Sequence, residues 1–414
     1  MFVVWDLRFR YCFVFRYSDF EFKIRASLRI LPIRYNVFMF RYLKSFDLLL
    51  VGSVMSLFIF GLATMFFTAQ DNQLIRLQLI KQIFFGVSGI LIFFLLASFD
   101  LRFLRTRSVW VMFIYIVGII SLLGVLLVGV KVRGASSWFH VGPFTIEPVE
   151  FVKISIILLL GKYFSFRHAE LQQVRHVFIS GAYVGIPVLI ALLQPDLGAA
   201  VVLFSIWFGI LLLLELPKKQ VIFLSVCGLL IFLLGWFAFL APYQKGRLTS
   251  FASATDPQGG GYHTRQAIVA IGSGGLFGKK LSEPTQASQN FLPESTTDFI
   301  FAASVERFGL LGATIILFGF AILFWRILRV AYFASNNFIR AVAAGCALLF
   351  FAHATIHIGM NLGLLPVTGL PLPFVSYGGS HIISGFIILG ILESLKRHQA
   401  SLQLDPAYSD VFSS

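Results

Sequence analysis

The sequence is poor in charged residues. Of its 414 residues, 13% are charged and 58% are hydrophobic, whereas a soluble domain has about a quarter of its residues charged. A chain of this composition cannot bury its apolar side chains in one aqueous core. The scarcity of charge therefore excludes an ordinary soluble globular protein and indicates that lipid surrounds most of the chain.

Cysteine is also scarce. Cys12 lies in a basic N-terminal tail, and Cys227 and Cys346 lie within apolar runs. Three cysteines placed in this way predict neither a disulfide framework nor a cysteine metal cluster.

Acidic residues are outnumbered: 19 Asp and Glu stand against 33 Lys and Arg, which gives a formal net charge of +14. A basic chain can bind nucleic acid, but here the Lys and Arg cluster in the N-terminal tail and in short loops. That distribution is typical of the cytoplasmic loops of membrane proteins. We therefore predict no nucleic-acid partner.

Residues 1–45 lack an apolar run long enough to span a membrane and lack a small-residue cleavage site, so they do not predict a signal peptide. Their many basic residues permit a cytoplasmic tail that lies on anionic lipid, but this is not the favoured interpretation. The other interpretation is a dispensable extension, with Met39 as an internal start just before the first apolar run.

Ten apolar runs approach the roughly 20 residues that a membrane-spanning helix needs. They lie near 46–67, 82–99, 108–130, 149–165, 177–193, 199–215, 220–241, 300–325, 339–364 and 376–395. The sequence therefore predicts an all-α, polytopic membrane protein, with a transmembrane domain over 46–395.

Alternate loops are basic, and the positive-inside rule assigns them to the cytoplasm. These are the tail 1–45, the loops 100–107, 166–176, 216–219 and 326–340, and the C-terminal tail 396–414. The other side then carries 131–148, 194–198, the large loop 242–298 and 365–375. Both termini are predicted to be cytoplasmic.

Two carboxylates, Glu294 and Asp298, close the large outer loop at the threshold of the next apolar run. Asp298 has two interpretations. It can cap the following helix, as aspartate often does. Alternatively, if Glu294 and Asp298 share one turn, their repulsion would raise one pKa and create a general base.

Further polar residues mark the same side. Glu150 and Lys153 are spaced i, i+3 and share a helix face, either as a self-neutralising pair or as the lining of an outward polar cavity. Asp196, in a tight turn after Gln194, either caps a helix or belongs to a site. Other candidates are Trp138 in the first outer loop, Arg247 in the large loop, and Ser376 and Ser380 in the last one.

Three other patterns have simpler interpretations. The glycine-rich piece 266–278 lacks the strand–turn–helix setting of a nucleotide-binding loop, and indicates bent backbone near the membrane surface. His353 and His357 are spaced i, i+4, which favours interhelical hydrogen bonds over a metal because no Glu accompanies them. The proline-rich segment 363–380 cannot be helical throughout, so it must be buried in protein or line a cavity.

Five segments, in this order, together resemble the SEDS (shape, elongation, division and sporulation) family. They are Gly142–Lys153, Gln194–Gly198, Gly272–Gly278, Leu292–Ala302 and Gly363–Ser380. The resemblance covers about residues 46–395, and the stretch from His357 to Gly369 is most similar to the RodA, or elongation, branch.

The resemblance implies a peptidoglycan glycosyltransferase of the bacterial cytoplasmic (inner) membrane. Such enzymes polymerise lipid II on the extracytoplasmic face, with polyprenyl pyrophosphate as the leaving group. The family's essential aspartate maps onto Asp298, and its cavity lysine maps onto Lys153, beside Glu150. Expected partners are a class B penicillin-binding protein (a transpeptidase) and other membrane proteins of the elongation complex.

The sequence departs from the family pattern at Thr296, where a histidine is usual, and at Val149, where a serine is usual. It also leaves open a divalent cation, magnesium or manganese, at the pyrophosphate. Two alternative functions remain at this point: a flippase for lipid-linked precursors, and a non-enzymatic scaffold of the cell-wall synthesis complex.

Overall fold

The computed structural model describes residues 46–69, 72–132, 135–142, 144–166, 173–213, 220, 222, 260–280, 283–289 and 291–403. The chain divides into two compact units, Met1–Phe46 and Asp47–Ser414. All elements given below belong to the second unit. The predictions for the N-terminal tail and for Arg247 lie outside the described residues.

Most of the described chain is helical. The helices are α1 (Leu48–Thr68), α2 (Gln73–Ser98), α3 (Phe103–Thr106), α4 (Ser108–Val128), α5 (Pro148–Phe166), α6 (Val174–Leu193), α7 (Leu197–Leu213), α8 (Gly260–Ser273), α9 (Ile300–Tyr332), α10 (Asn337–Asn361) and α11 (Gly379–Gln403). Seven of these are long and apolar enough to cross a membrane. The predicted class, a polytopic helical membrane protein, is confirmed.

Nine of the ten predicted apolar runs coincide with long helices; α5 and the 17-residue α7 are the two that are not among the seven candidate spans. The tenth run, 220–241, lies outside the described residues except for Gln220 and Ile222. The large outer loop contains a helix, α8, which the sequence reading did not separate from the loop.

A small antiparallel sheet lies between α4 and α5. Its strands are β1 (Val130–Val132), β2 (Ala135–Val141) and β3 (Phe144–Ile146), in the order β1-β2-β3. The pairing of β2 with β3 places His140 opposite Thr145. The sheet therefore leads the chain directly into α5, where Glu150 and Lys153 lie.

The most buried helices of the bundle are α10, α11 and α5, and in α5 15 of 19 residues are buried. In α10 and α11, 72% of the most apolar window is buried, against 22% in α2 and 28% in α4. Large apolar side chains of α2 and α4 are exposed, for example Leu74 at 71% and Leu127 at 84%. In a bilayer these outward faces contact lipid, so the polar chemistry of the chain has to be sought near α10 and α11.

The segment between α10 and α11, residues 362–378, is not helical; residues 372–376 are buried, whereas Leu362, Leu364 and Gly369 are exposed. Other parts of the chain satisfy its polar backbone. Gln82 of α2 donates from Nε2 to Ser376 O at 2.8 Å and accepts from Gly378 N at 3.2 Å. A Cβ on Gly61 of α1 would lie 2.4 Å from Val375 O. The prediction of irregular backbone is confirmed, and of its two alternatives, burial in protein holds for residues 372–376.

Helix α9 is kinked near its start. Gly309 has φ 67° and ψ −159°, a conformation that is accessible to glycine. The kink brings the turn after α8 against α9: Leu310 N donates to Gly275 O at 2.9 Å, and Lys279 N donates to Glu306 O at 3.0 Å. The prediction of bent backbone over 266–278 is confirmed only for its second part: residues 274–278 bend and pack on α9, whereas residues 266–273 are regular helix in α8.

Candidate active site

The residues that precede α9 form one compact turn. Glu294 has a positive φ of 56°, and its carbonyl oxygen accepts hydrogen bonds from the backbone N of Thr297 and of Phe299, both at 3.1 Å. The Glu294 carboxylate accepts a further bond from Thr297 Oγ1 at 2.9 Å. Glu294 and Asp298 therefore belong to the same turn, and the general-base role stays a prediction.

The N-cap position of α9 falls on Phe299, which makes no side-chain capping bond. The Asn361 side chain, at the end of α10, satisfies one N–H of the first turn: its Oδ1 accepts from Ala302 N at 3.1 Å. A residue distant in sequence therefore shares in capping α9, and the two interpretations of Asp298, helix cap and general base, stay predictions.

Three consecutive carbonyl groups of the turn are held by the end of α10 and the 362–378 segment. We call this arrangement the carbonyl clamp: Tyr377 N to Thr296 O at 2.9 Å, Ser376 Oγ to Thr297 O at 2.8 Å, and Asn361 Nδ2 to Asp298 O at 2.9 Å. Buried carbonyl groups need such partners. The clamp fixes the backbone on which the Asp298 side chain is mounted.

The Asp298 carboxylate faces the same segment. The residue is partly exposed, and a Cβ on Gly369, whose φ is +77°, would lie 3.9 Å from Asp298 Oδ2. Glycine at position 369 thus leaves open space beside the carboxylate. A partly exposed carboxylate on a rigid backbone is suited to accept a proton from a substrate hydroxyl.

Thr296, where the family usually has histidine, is buried, with 4% of its surface exposed. Its hydroxyl donates to Gln78 Oε1 on α2 at 2.8 Å. The hydroxyl therefore ties the turn to α2.

A second polar cluster lies within the bundle, on α5, α10 and α11. Lys153 Nζ donates to Glu150 Oε1 at 2.8 Å and lies 3.1 Å from His353 Nε2. The other Glu150 oxygen is bonded by Ser384 Oγ at 3.1 Å and lies 3.2 Å from His381 Nδ1. The Lys153 and Glu150 side chains are only 1% and 3% exposed. Their ion pair is therefore a buried, partnered pair rather than an exposed one.

The same cluster was tested for a fit to a metal ion. Side-chain ligand atoms of Glu150, His353 and His381 lie within 4.8 Å of one another. However, the Lys153 ammonium is bonded to Glu150 and adjoins His353, and would repel a second cation. Magnesium also prefers an all-oxygen shell. The cluster does not fit that ion, and no catalytic step is derived through a metal.

One face of α10 connects the two sites. His357 Nδ1 pairs with Leu370 O at 2.8 Å and His353 Nδ1 with Pro371 O at 3.2 Å, so the prediction of hydrogen-bonding histidines is confirmed. His353, His357 and Asn361 follow one another at i, i+4, which separates the first from the last by about 12 Å along the helix axis. Lys153 is therefore held about two turns deeper than the Asp298 turn.

The sheet adds a third group of candidates. Ser380 Oγ, at the start of α11, accepts from Glu147 N at 3.0 Å and donates to Thr145 O at 3.3 Å. Burial and the nearby Glu150 and Asp196 carboxylates raise the pKa of Glu147 to about 8, against the lowering effect of a Trp138 hydrogen bond. Trp138 and Ser380 thus position Glu147, a residue with a proton to exchange near neutral pH.

Gln194 and Asp196 have structural partners. Gln194 is 1% exposed and donates from Nε2 to Leu122 O at 2.7 Å. Asp196 Oδ1 accepts from Ala199 N at 2.9 Å in the first turn of α7, so its predicted capping role is confirmed. Its electrostatic effect on Glu147 keeps it near the candidate site.

Four residues were missed by sequence reasoning: Asn361, Glu147, His381 and Ser384. Each lies next to a residue or motif that was singled out, but its partner is far away in the sequence. Asn361 and Asp298 are 63 positions apart, and His381 and Glu150 are 231 apart. The sequence could have singled out each of these residues as a polar residue inside or beside an apolar run. That pattern does not show which distant residue it contacts.

The chain was compared with known proteins. Residues 42–401 match the profile of the FtsW/RodA/SpoVE family, described as cell cycle protein. The chain is 34% identical to stage V sporulation protein E of Bacillus subtilis (strain 168), over 77% of this chain and 86% of that protein. It is 35% identical to peptidoglycan glycosyltransferase MrdB of Escherichia coli (strain K12), over 72% and 80%. The corresponding MrdB of Helicobacter pylori (strain ATCC 700392 / 26695) is 37% identical, over 76% and 82%.

Solved structures agree. A chain from the structure described as "Structural coordination of polymerization and crosslinking by a peptidoglycan synthase complex" has a TM-score of 0.73 and 26% identity, covering 86% of this chain and 98% of that one. The crystal structure of rod shape determining protein RodA of Thermus thermophilus has a TM-score of 0.64 and 26% identity, covering 86% and 97%. The resemblance predicted from the motifs is confirmed: the chain belongs to the FtsW/RodA/SpoVE family of cell cycle proteins.

Proposed function

We propose that this chain is a peptidoglycan glycosyltransferase that polymerises lipid II into glycan strands during cell elongation. The proposal follows the names of its MrdB relatives. The observation that carries it is the carbonyl clamp, which holds the Asp298 turn by three hydrogen bonds to consecutive carbonyl groups. Such a preorganised backbone is what a catalytic carboxylate needs.

The proposed location is the bacterial inner membrane, with the Asp298 turn on the extracytoplasmic face. Support comes from the charges at the opposite end of the bundle. Arg326 and Arg329 near the end of α9, and Lys396 and Arg397 in the last part of α11, all lie at that end. The positive-inside rule assigns that end to the cytoplasm.

The proposed step is an inverting glycosyl transfer. A sugar hydroxyl of the acceptor attacks the anomeric carbon of the donor, and a new carbon–oxygen bond forms. The bond from that carbon to the pyrophosphate oxygen breaks, and polyprenyl pyrophosphate leaves with the electron pair. The hydroxyl proton passes to the Asp298 carboxylate, which acts as general base.

The pyrophosphate needs positive charge. Arg247 is the proposed cation from the large outer loop. Lys153 is a weaker choice on geometry, because its ammonium is 1% exposed and already holds Glu150 and His353. We propose that Lys153 instead holds α5 against α10, so that the segment carrying the clamp keeps its place.

The proposed partner is a class B penicillin-binding protein. Support comes from the fold: the chain covers 98% of a chain in the peptidoglycan synthase complex at a TM-score of 0.73. The elongation role rests on the His357–Gly369 stretch. Whole-chain identity does not separate the roles, because sporulation and elongation relatives are equally similar at 34% and 35%.

The test is polymerisation of purified lipid II by the full chain, with and without the transpeptidase. Asp298→Asn keeps the size of the side chain and the backbone clamp, so we expect folding and lipid II binding to persist while polymerisation falls by about 10³-fold, within the range for loss of a general base and its charge. Asp100→Asn is the matched control, since Asp100 is exposed and pairs with Arg102 at the other end of the bundle. Polymerisation by Asp298→Asn at the wild-type rate would overturn the proposal.

The two alternative functions predict different results in further assays. A flippase would move lipid II across vesicles without making polymer. A scaffold would support cell shape in cells whose only copy carries Asp298→Asn.

A further inference from the structure

The bundle carries a charged cleft at the end opposite Asp298. Its walls come from the start of α1, the end of α9 and the last turns of α11, and its volume is about 320 Å³. Between the Gly309 kink and Tyr332, α9 has 23 residues, which span about 35 Å. That length exceeds the roughly 30 Å of a bilayer core, so the cleft and Asp298 lie at opposite membrane surfaces.

The cleft contains charges of both signs, and they lie at different depths. The Asp47 carboxylate is at its floor, and Glu393, which does not line the cleft, lies 3.5 Å from Lys396; their side chains are 2% and 1% exposed. The Lys396 and Arg326 side chains are 32% and 15% exposed, and Arg329 is exposed. The surface that meets solvent is therefore positive, although the cluster as a whole is nearly balanced.

The Asp47 carboxylate is held in its charged state by two of these cations. Asp47 Oδ2 accepts from Arg326 Nε at 3.0 Å and from Lys396 Nζ at 2.8 Å. Burial raises the pKa of Asp47, but the hydrogen bonds from Arg326 and Lys396 outweigh burial, so the pKa lies below its usual value. Asp47 Oδ1 also caps α1 by accepting from Leu50 N at 3.1 Å. These contacts preorganise Arg326 and Lys396.

Arg329 is different. In the described part of the chain, no carboxylate lies within 4.0 Å of its guanidinium. It lies over the rings of Trp325 at 5.9 Å and Phe333 at 5.7 Å instead. Within the described residues, its guanidinium therefore contacts aromatic rings and no acid.

The rim of the cleft is aromatic and exposed. Trp325, Tyr332 and Phe333 are 54%, 78% and 66% exposed. Exposed aromatic side chains at the end of a spanning helix are typical of the headgroup level of a bilayer. Cations that line a cleft between spanning helices at this level favour the phosphate of an anionic lipid.

We propose that this cleft binds the headgroup of an anionic glycerophospholipid, with Arg329, Arg326 and Lys396 around its phosphate and the aromatic rim beside its glycerol and acyl ester groups. The occupant is a membrane lipid rather than a free anion, because the rim has apolar surface that a free phosphate would not cover. The site would tie the ends of α1, α9 and α11 together at the inner surface of the membrane. This inference does not depend on the chemistry proposed for Asp298.

The experiment measures lipid binding by the full chain in neutral detergent, by native mass spectrometry and by the rise in unfolding temperature. Phosphatidylglycerol is compared with phosphatidylcholine of the same acyl chains. We expect phosphatidylglycerol to bind more tightly, and Arg329→Gln to weaken it about tenfold, as expected for one charge-assisted hydrogen bond. Arg329→Lys, which keeps the charge, should retain most of the binding.

The matched control is Arg340→Gln. Arg340 is an exposed arginine in the first turn of α10, at the same end of the bundle, and it does not line the cleft. Arg340→Gln changes the net charge by the same amount but removes no residue of the cleft. The lipid affinity should therefore stay within about twofold of wild type. Unfolding of Arg329→Gln without lipid should match wild type, because Arg329 has no acidic partner to lose.

Three results would overturn the inference. The first is equal binding of the two lipids. The second is equal weakening by Arg329→Gln and Arg340→Gln, which would mean that only the overall surface charge matters. The third is displacement of the lipid by soluble glycerol phosphate at a similar concentration, which would mean a free-anion site. If Arg329→Gln unfolds, Lys396→Gln tests the same cleft from α11, and unweakened lipid binding by that variant would count against the site.

Discussion

Replacing Asn361 by alanine removes three hydrogen bonds at one buried point. Asn361 is 0% exposed. Its side chain donates to Asp298 O at 2.9 Å and to His357 O at 2.8 Å, and accepts from Ala302 N at 3.1 Å. The residue therefore caps α9 and holds the backbone of the proposed base at the same time.

The expected loss of stability follows from the groups left unpaired. In Asn361→Ala, the Ala302 N–H and the Asp298 carbonyl group lose their partner. Each buried unsatisfied group costs about 1–3 kcal/mol, so the free energy of unfolding should fall by roughly 2–6 kcal/mol. The His357 carbonyl group loses less, because it can still accept the helical bond from its own turn.

In Asn361→Ala, the polymerisation rate should fall by more than the fraction of unfolded protein can explain. Freed from the clamp, the Asp298 turn can shift, and a displacement of about 1 Å can reduce the rate about 100-fold. Because Asn361 is buried away from solvent, the change should fall on kcat rather than on KM. The assay is polymerisation of purified lipid II at a temperature where thermal unfolding shows the variant to be folded.

Asn336→Ala is the matched control, because it makes the same substitution at the other end of the same helix. Asn336 Oδ1 accepts from Ile339 N at 3.0 Å and caps α10. Its loss should cost about 1 kcal/mol of stability with unchanged kcat. The reasoning is refuted if Asn361→Ala unfolds and polymerises like wild type, or if both variants lose kcat equally.

Two further predictions concern polar groups outside the carbonyl clamp: the buried pair of Lys153 and Glu150, and Glu147 before α5. Lys153→Met leaves the Glu150 carboxylate buried without its cation, so the free energy of unfolding should fall by about 3–5 kcal/mol. Adding Glu150→Gln to that variant should restore part of the loss. If thermal unfolding shows that the losses of the single variants simply add in the double variant, the two residues are not coupled. The pKa of Glu147 is raised from 4.5 to about 8. Between these pH values the folded state holds a proton that the unfolded state has released. The free energy of unfolding should therefore fall as pH rises from 4.5 to 8, by at most about 1.4 kcal/mol per pH unit. Glu147→Gln should flatten that part of the curve of unfolding temperature against pH, and an unchanged slope would show that Glu147 does not titrate there.

Local patterns in the sequence were enough for much of this protein. Apolar runs of about membrane thickness predict helices regardless of their neighbours, because lipid leaves no other way to satisfy a lone backbone segment. Nine of those runs are helices in the structure. The i, i+3 spacing also predicted that Glu150 and Lys153 share a helix face, and their ion pair of 2.8 Å agrees.

Other features required the packing of distant segments. The sequence left Asp298 between a helix cap and a general base, since both need the same residue type before a helix. Only the tertiary structure brings Asn361 to Ala302, 59 positions away, and so satisfies an N–H in the first turn of α9. In the same way, Glu150 could have lined an outward cavity until His381 and Ser384, more than 200 positions later, were found on its second oxygen.

The sequence by itself determined the solvent, the class of fold, the family and the residue proposed as base, because composition, hydrophobic run length and short motifs are local properties. The tertiary structure decided which groups hold that residue: the carbonyl clamp is made by side chains and backbone 63 to 81 positions away from the groups they bond. Hydrogen bonds of that kind depend on distance in space, and no local pattern in the chain encodes it.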